Sequence, residues 1–407
     1  MIQGWDIMKE QALTGLTVID LSENITGPYC TKLLADMGAE VTKIERTGLG
    51  DPSRLEGPFP GNKPDLNKSG LFNYLNNNKI GITLDLKTES GIEIAKKIIS
   101  EADIIVENFK PGVMQQLGLG YETLRDLNPG LIMTSISNFG QTGKYRDYHA
   151  TELIAQSMSG WVSSIGESTR QPLRAGGPLR LLEYISGTFA AFSTMTAVLG
   201  RRKSHKGEHI DVSTVEVGML QRAYPTVQDS YPTSTVKTPK RFVMLPSIER
   251  CKNGNIAISL LTGQHWQDFC CMIEKYEWME DPRFILLYDR LKHQQEFQQV
   301  LDEWLMQHTK EEVLEKGREW KVPVIPVPTF EEMLSFPQYV ERNVFVSVDH
   351  PEMGKVVQPG APFRMSETPW AIRSTAPLLG EHNHQIYDQE LGLSKSKLQD
   401  LKAKGVI

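Results

Sequence analysis

The first 145 residues repeat one pattern, in which short apolar segments alternate with polar segments of helical periodicity. The apolar segments have the length and composition of buried strands; they are 16–21, 39–45, 80–86, 102–107 and 131–136. Strands that alternate with helices pair in parallel, because each helix carries the chain back to the same edge of the sheet. The sequence therefore predicts an α/β fold with a Rossmann-like parallel sheet.

Sheets of this kind bind ligands beyond the carboxyl ends of their strands. The candidate loops are 21–27, 46–53, 108–112 and 137–143, and none contains a Gly-x-Gly-x-x-Gly sequence. The nearest approximation, at 118–120, follows a predicted helix instead of a strand. A dinucleotide-dependent oxidoreductase is therefore a weak alternative.

A run rich in proline, threonine and serine at 226–242 indicates a linker. A smaller α+β domain is predicted at 243–327, with a strand at 255–260 and helices at 266–276, 289–308 and 310–316. Residues 328–407 are predicted to form a second linker and to return to the large domain, whose first part is 1–225. Both chain ends would then build one domain, although a flexible tether between independent domains is the alternative.

The net charge of −6 argues against nucleic acid or an anionic membrane as a partner, since the one basic cluster, 201–203, is short. No apolar run reaches the length of about 18 residues that a membrane span needs, and the amino terminus does not resemble a signal peptide. We expect a cytoplasmic protein. The four cysteines lack metal-ligand spacing, so we expect reduced structural cysteines and no metal.

A second constraining feature is the junction at 174–187, where Gly176, Gly177 and Pro178 end a polar segment. A helix rich in alanine, serine and threonine follows, and its small side chains predict burial on every side. Glu183 lies at the start of this helix. An acidic residue there is also favoured by the helix dipole, so the residues alone leave a structural and a functional role open.

Several short motifs occur in an order that resembles family III CoA-transferases, the family that also contains α-methylacyl-CoA racemases. They are 27–30 (GPYC), 43–46 (KIER), 107–109 (ENF), 139–143 (FGQTG), 183–187 (EYISG) and 379–382 (LGEH). The resemblance runs from Leu13 to Ile407. It implies coenzyme A as a substrate, an acyl-CoA and a carboxylic acid as the reactants, and two subunits interlocked through their linkers.

The resemblance also implies site residues. Glu183 occupies the position of an aspartate that attacks the acyl-CoA thioester, becomes an anhydride and then carries CoA. The positions implied to bind CoA are Arg46, Leu84, Lys87, Asn108 and Phe109. Cations and apolar faces suit the phosphates and the adenine of CoA. Taken singly, Arg46 and Lys87 could be solvated and Phe109 could belong to the core.

Other positions depart from the family pattern. Gln116 stands where relatives usually have arginine or lysine, and Ser137 where some have lysine. Up to two cationic contacts to the phosphates would be absent, so we expect weak CoA binding. Ile25 replaces a glutamine that some transferases have near the thioester, and 260–264 has one glycine where some have a glycine-rich loop. Thr151 replaces the racemase histidine, with His149 two residues away, which argues against racemisation. We interpret Glu381-His382 as structural.

These departures favour a catalytically silent or impaired subunit that pairs with a homologous, aspartate-bearing partner. Among heteromeric members, the chain resembles the succinyl-CoA:(R)-benzylsuccinate CoA-transferases of anaerobic toluene degradation. One alternative is an active homodimeric transferase that uses Glu183, since any carboxylate can form an anhydride and a thioester. Another is a CoA-binding protein without enzymatic activity.

Overall fold

The structure is a computed structural model that describes residues 11–163, 180–223, 227, 230, 231 and 244–407. These residues divide into two compact units. The described residues before 232 form the first unit together with 344–407, and 244–343 form the second. Most of the predicted linker at 226–242, and the residues Arg174, Gly176, Gly177 and Pro178, lie outside the described residues. The domain boundaries stay predictions.

A six-stranded parallel sheet forms the centre of the first unit. Its strands are β1 (Thr17–Asp20), β2 (Glu40–Glu45), β3 (Lys79–Thr83), β4 (Ile104–Glu107), β5 (Ile132–Ser137) and β6 (His209–Ser213). The order across the sheet is β3-β2-β1-β4-β5-β6, so the direction of winding reverses between β1 and β4. The predicted α/β fold with a parallel sheet is confirmed, and the crevice beyond β1 and β4 is where such sheets bind ligands.

One or two helices follow each of these strands in the chain. They are α1 (Thr26–Asp36), α2 (Gly70–Asn76), α3 (Glu89–Ser100), α4 (Val113–Gln116), α5 (Tyr121–Leu127), α6 (Glu152–Met158), α7 (Leu181–Ser204) and α8 (Thr214–Leu220). Serine or threonine side chains cap α2, α3 and α8, which satisfies backbone N–H groups that a helix leaves unpaired at its start.

The long helix α7 packs closely against α1. A Cβ atom at Gly187 would lie 2.5 Å from the carbonyl oxygen of Thr26, so only glycine allows this approach. Nearby, Tyr29 and Tyr184 pack edge to face with ring centroids 4.9 Å apart. The prediction that α7 is buried on every side is wrong for the single chain, because Phe192 is 69% and Leu199 57% exposed. The small residues of α7 form its packed face, and the opposite face is exposed to solvent.

The second unit contains a three-stranded antiparallel sheet in the order β7-β8-β9. Its elements are β7 (Ile248–Cys251), β8 (Gly254–Ile258), α9 (Gly263–Met272), α10 (Leu287–Lys292), α11 (Gln294–Leu305), α12 (Lys310–Glu319), β9 (Val324–Val327), α13 (Phe330–Ser335) and α14 (Pro337–Glu341). Trp266, Trp278 and Phe297 stack at its core. The single helix predicted at 289–308 is wrong: His293 leaves the helical conformation between α10 and α11.

The last part of the chain returns to the first unit through a hairpin of β10 (Phe345–His350) and β11 (Gly354–Pro359), and ends in α15 (Lys395–Ala403). On the way it covers the free edge of β3. His382 accepts a hydrogen bond from the Gly81 N–H (3.1 Å), and Asn383 accepts one from the Thr83 N–H (2.9 Å). This pairing agrees with a structural role for Glu381-His382, because an edge strand needs its backbone groups satisfied.

Throughout the part of the chain that the structure describes, no helix combines the length and apolar content required to cross a membrane.

Candidate active site

A cavity of about 620 Å³ lies beyond the carboxyl ends of β1, β2 and β3; we call it the nucleotide cavity. Four of the residues expected to bind CoA line it: Arg46, Leu84, Lys87 and Phe109. Leu84 is buried, Phe109 is half-buried, and Arg46 and Lys87 are exposed. The cavity therefore combines an apolar floor with cations at its rim, which suits a ligand that has an aromatic base and phosphates.

Buried charges support the floor of the nucleotide cavity. The ammonium of Lys43 lies 2.9 Å from Asp51 and donates to the carbonyl of Ser22 at 2.8 Å. Lys79 lies 3.0 Å from Asp20. Burial alone would raise the pKa of Asp20, but Lys43 and Lys79 hold it well below its usual range. Lys43 lines the cavity but is paired with protein groups, so its role is to fix the loop after β2.

A second ion pair fixes the same loop. Arg54 binds Glu45 through two hydrogen bonds of 2.6 and 2.7 Å, and its guanidinium lies 3.6 Å from the centre of the Phe72 ring. Such bidentate pairs fix geometry as well as charge. These supports were not predicted from the sequence. The available signal was the charge of Lys43 and Glu45 within a strand of a parallel sheet, since such strands are ordinarily apolar on both faces.

Arg46 is tied to the loop after β1. Its guanidinium lies 2.8 Å from the carboxylate of Glu23, and roughly half of the Arg46 side chain is exposed. Burial raises the pKa of Glu23, and the neighbouring Arg46 opposes that rise. Arg46 thus stands at the cavity rim in a defined position, with part of its guanidinium surface open to a ligand.

Asn108 is placed differently from the other four residues. Its side chain accepts from the Glu23 N–H and donates to the Glu23 carbonyl, both at 2.8 Å. We call this pair of bonds the Asn108–Glu23 bridge; it joins the loops after β1 and β4. Asn108 lines a second cavity instead of the nucleotide cavity. Because its polar atoms are used by the protein, Asn108 positions the loops at the point where the sheet reverses.

Glu107 precedes the bridge at the end of β4. It is buried, and burial raises its pKa to about 7. Its carboxylate accepts a hydrogen bond of 2.8 Å from the N–H of Phe109. This bond holds the backbone that presents Phe109 to the nucleotide cavity.

The second cavity has a volume of about 230 Å³ and lies on the β5 side of the bridge; we call it the acid cavity. Polar side chains dominate its lining, which consists of Asn24, Ile25, Thr26, Asn108, Ile136, Ser137, Asn138, Ala150, Thr151, Glu152, Ala155, Glu183 and Thr214. Two of these residues, Glu152 and Glu183, are carboxylates. No lysine or arginine occurs among the lining residues that the structure describes.

Glu183 enters the acid cavity from the first turn of α7. Burial raises its pKa to about 7, Arg180 opposes the rise, and Glu152 and Glu56 add to it. Its Oε2 atom is buried and makes no hydrogen bond to the residues that the structure describes, and Nη1 of Arg180 lies 3.8 Å away. Glu183 is therefore a carboxylate with an uncommitted oxygen in a small polar cavity, the arrangement that a nucleophile requires.

Glu152 holds the start of α7 in place. Its Oε1 accepts hydrogen bonds of 2.8 Å from the Leu182 N–H and from the Gln156 side chain. Its Oε2 is buried and has no hydrogen-bond partner in the described ranges. It thus acts as the cap that α7 lacks on its own residues. This role was not predicted from the sequence. The spacing of Glu152 and Gln156 on one helix face was the only local signal.

The departures from the family pattern fall mainly in the acid cavity. Ile25, Ser137 and Thr151 all line it. Ser137 was expected beside the phosphates of CoA, but the structure groups it with Glu183. Gln116 is exposed on α4 and lines neither cavity, and His149 is exposed beside Lys110, 3.1 Å away.

The segment 260–264 lies in the second unit. Thr262 accepts a hydrogen bond of 3.1 Å from the His265 N–H and caps α9. Gly263 is the first residue of that helix, so the segment has a local structural role.

Over the described ranges, no group of three or more histidine, cysteine, aspartate or glutamate side chains is arranged to hold a metal ion. Cys30, Cys251 and Cys270 are buried, Cys271 is partly buried, and all four are free thiols.

Comparison with known proteins agrees with this geometry. The profile of CoA-transferase family III matches residues 13–383. The chain is 32% identical to a succinyl-CoA–D-citramalate CoA-transferase of Chloroflexus aurantiacus over 401 residues, which cover 97% of this chain and 98% of the relative. It is 31% identical to a succinate–glutarate CoA-transferase of Agrobacterium fabrum over 388 residues, or 93% and 95% of the two chains.

Among solved structures, a CaiB/BaiF family protein from Brucella suis superposes with a TM-score of 0.82 at 27% identity, covering 94% of this chain and 100% of that one. CoA-transferases use CoA thioesters as substrates and need no metal. Since the profile match and the alignments with relatives extend over nearly the whole length, this chain belongs to CoA-transferase family III.

Proposed function

We propose that the chain transfers CoA from an acyl-CoA, such as succinyl-CoA, to a carboxylic acid, with Glu183 as the nucleophile. The observation that carries the proposal is the buried Oε2 of Glu183 in the acid cavity, which makes no hydrogen bond within the described part of the chain. A remnant of a lost site has no reason to keep a carboxylate desolvated and open, because such a group costs stability. The retained nucleotide cavity on the other side of the Asn108–Glu23 bridge supports the same reading.

The proposed reaction exchanges acyl bonds without a change in oxidation state. The ionised Glu183 attacks the thioester carbonyl; the C–S bond breaks, CoA leaves as a thiolate and an anhydride remains. The thiolate then attacks the Glu183 carbonyl carbon, giving a glutamyl-CoA thioester and releasing the donor acid. The acceptor carboxylate attacks this thioester, releasing the thiolate and forming a second anhydride. The thiolate attacks the acceptor's carbonyl carbon, which yields the new acyl-CoA and restores Glu183.

In this proposal the nucleotide cavity binds the nucleotide portion of CoA. Arg46 and Lys87 would contact phosphates from the rim, and Leu84 and Phe109 would pack on adenine. Asn108 would act through the bridge, by holding the loops that separate the nucleotide from the reacting thioester. The relatives that act on succinyl-CoA or succinate support succinyl-CoA as the donor. The acceptor suggested by the sequence, (R)-2-benzylsuccinate, remains one candidate.

A second arrangement keeps this chain as the silent subunit of a cytoplasmic heteromer, interlocked with an aspartate-bearing homologue. The glutamate at the nucleophile position favours it, because an added methylene displaces the carboxylate by about 1 Å, enough to cost about 100-fold in rate. The open face of α7, with Phe192 and Leu199, is a surface that a second subunit of either kind would cover. The third candidate is a CoA-binding protein without activity.

The test uses the purified full-length chain alone, with succinyl-CoA as donor and dicarboxylic acids as acceptors. Glu183→Gln is expected to lower turnover by about 1,000-fold or more, because an amide cannot form the anhydride. Glu101→Gln, an exposed glutamate at the end of α3, is the matched control and should leave turnover unchanged. Mass spectrometry of the wild-type chain should recover a CoA thioester on Glu183.

Other outcomes separate the rival functions. Activity that appears only after mixing with an aspartate-bearing homologue, and that is indifferent to Glu183→Gln, would establish the silent subunit. Binding of CoA without turnover under either condition would favour the non-enzymatic protein.

A further inference from the structure

Arg180, the residue before α7, has an unusual backbone conformation. Its φ of 44° and ψ of 42° place it in the left-handed region, which residues other than glycine and asparagine adopt rarely. Residues at this position of a helix are ordinarily extended and carry a short capping side chain. A glycine or an asparagine would fill the position with less strain. The chain places a long cation there, which indicates that its side chain has a use.

The guanidinium of Arg180 stands between two carboxylates. Its Nη2 lies 2.8 Å from Oε2 of Glu56, and its Nη1 lies 3.8 Å from Oε2 of Glu183. The first contact is an ion pair at hydrogen-bond distance, whereas the second is longer than a hydrogen bond. Glu56 thus holds Arg180 beside the nucleophile without closing on it. The Arg180 side chain is 33% exposed, so a ligand can reach it.

The carboxylates that line the acid cavity require a nearby cation if a further negative charge is to bind there. Glu152 and Glu183 both line it, and its described lining contains no lysine or arginine. An acyl group that carries a second carboxylate would bring a third negative charge beside them. Like charges in a poorly solvated site repel strongly unless a cation compensates. Arg180 lies within 4 Å of Glu183 and offers a planar set of donors that matches a carboxylate.

We propose that Arg180 binds the free carboxylate of a dicarboxylic acyl group while the other end of that group reacts at Glu183. Glu56 occupies the guanidinium before the substrate arrives and is exchanged for the substrate carboxylate. The inference rests on the proposed function and adds its substrate class: short dicarboxylic acids, as donors and as acceptors. The relatives named for succinate, glutarate and citramalate agree with this class.

The experiment compares two donors that differ in one carboxylate, succinyl-CoA and butyryl-CoA. Arg180→Gln is expected to lower kcat/KM for succinyl-CoA by about 100-fold, the loss that follows when a desolvated charge loses its partner, and to change kcat/KM for butyryl-CoA far less. Arg180→Lys should fall between, since an ammonium keeps the charge but not the bidentate geometry. Arg202→Gln, an exposed arginine at the other end of α7, is the control.

Glu56→Gln provides a second, independent arm, because it leaves Arg180 in place and removes its competitor. We expect kcat/KM for succinyl-CoA to rise about threefold, since releasing a guanidinium from a partly exposed ion pair gains little, while butyryl-CoA is unaffected. Should Arg180→Gln fail to fold, Arg180→Lys and Glu56→Gln decide the matter. Equal effects on both donors across these variants would overturn the proposal. That result would leave the role of Glu183 intact, whereas full activity of Glu183→Gln would reject the proposed function whatever Arg180 does.

Discussion

The nucleotide cavity and the acid cavity flank the same bridge, yet their charges are satisfied in different ways. Beside the nucleotide cavity, Lys43 is paired with Asp51, and Arg54 with Glu45. In the acid cavity, Glu152 and Glu183 each keep a buried oxygen without a hydrogen bond to any described residue. Paired ions give the first cavity a fixed shape. The carboxylate oxygens without hydrogen bonds in the second cavity are free to contact a ligand.

The two cavities also differ in the free energy that burial of their charges costs. A buried ion pair recovers through its partner much of the desolvation that its charges lose. A buried carboxylate oxygen without a hydrogen bond recovers less. Burial raises the pKa of Glu183, and the distant ion pair with Arg180 opposes that rise only in part. Under the proposed function, the acid cavity gives up stability for reactivity. The following predictions test that contrast.

After the loss of turnover expected for Glu183→Gln, the largest effect is expected from Glu183→Asp. The shorter side chain withdraws the carboxylate by about 1 Å from the position for attack, and we expect the rate to fall about 100-fold. Single-turnover kinetics with succinyl-CoA measure the loss, and Glu101→Asp serves as the control. An unchanged rate would contradict a role for the Glu183 carboxylate in attack on the thioester.

Glu183→Gln should change the pH dependence of stability. The folded chain holds a proton on Glu183 up to a pKa of about 7, against an ordinary value of 4.5, so the wild type loses stability as the pH rises through this window. The glutamine variant lacks that loss. We expect it to exceed the wild type by about 1–3 kcal/mol at pH 8 and to match it below pH 5.

Urea unfolding at the two pH values measures this difference, and Glu101→Gln should show none. A gap that is the same at both pH values would contradict a buried, titrating carboxylate at position 183.

Asn108→Ala should affect both cavities at once, because it removes the bridge between them. We expect the free energy of unfolding to fall by about 1–2 kcal/mol and kcat/KM for the acyl-CoA to fall about tenfold. Asn128→Ala is a matched control, since Asn128 also bonds a carbonyl (Ala102, 2.8 Å) and an N–H (Gly130, 3.0 Å), but in a turn outside both cavities. The control should lose similar stability and keep its activity. Equal activity in the two variants would show that the Asn108–Glu23 bridge does not contribute to catalysis.

The smallest effect is expected from Lys87→Ala at the rim of the nucleotide cavity. An exposed cation that meets a phosphate contributes modestly, so KM for the acyl-CoA should rise about threefold with kcat unchanged, and the difference should shrink at high salt. Lys144→Ala, at another exposed position, is the control. A change in kcat instead of KM would mean that Lys87 contributes to the reaction step. The nucleotide cavity would then not serve binding alone.

Three residues predicted to bind CoA lie together in one cavity, whereas Ser137 lies in the other cavity. The loops after β2 and β3 were expected to hold CoA residues, and Arg46, Leu84 and Lys87 do meet in one cavity, because neighbouring parallel strands end at one edge. Ser137 was assigned to the same phosphate site but lies with Glu183. The reason is the winding order: the sheet reverses between β1 and β4, so the loop after β5 falls on the other side of the bridge.

By itself, the sequence determined the alternating parallel fold and the position of Glu183 at the start of a small-residue helix. Both follow from periodicity and composition over a few residues, which are local properties. Only the tertiary structure decided that Glu152 caps α7 from 30 residues away, that Glu56 holds Arg180, and that burial raises the pKa of Glu183 to about 7. These depend on distances through space and on exclusion of water, which exist only after the strands and helices have packed.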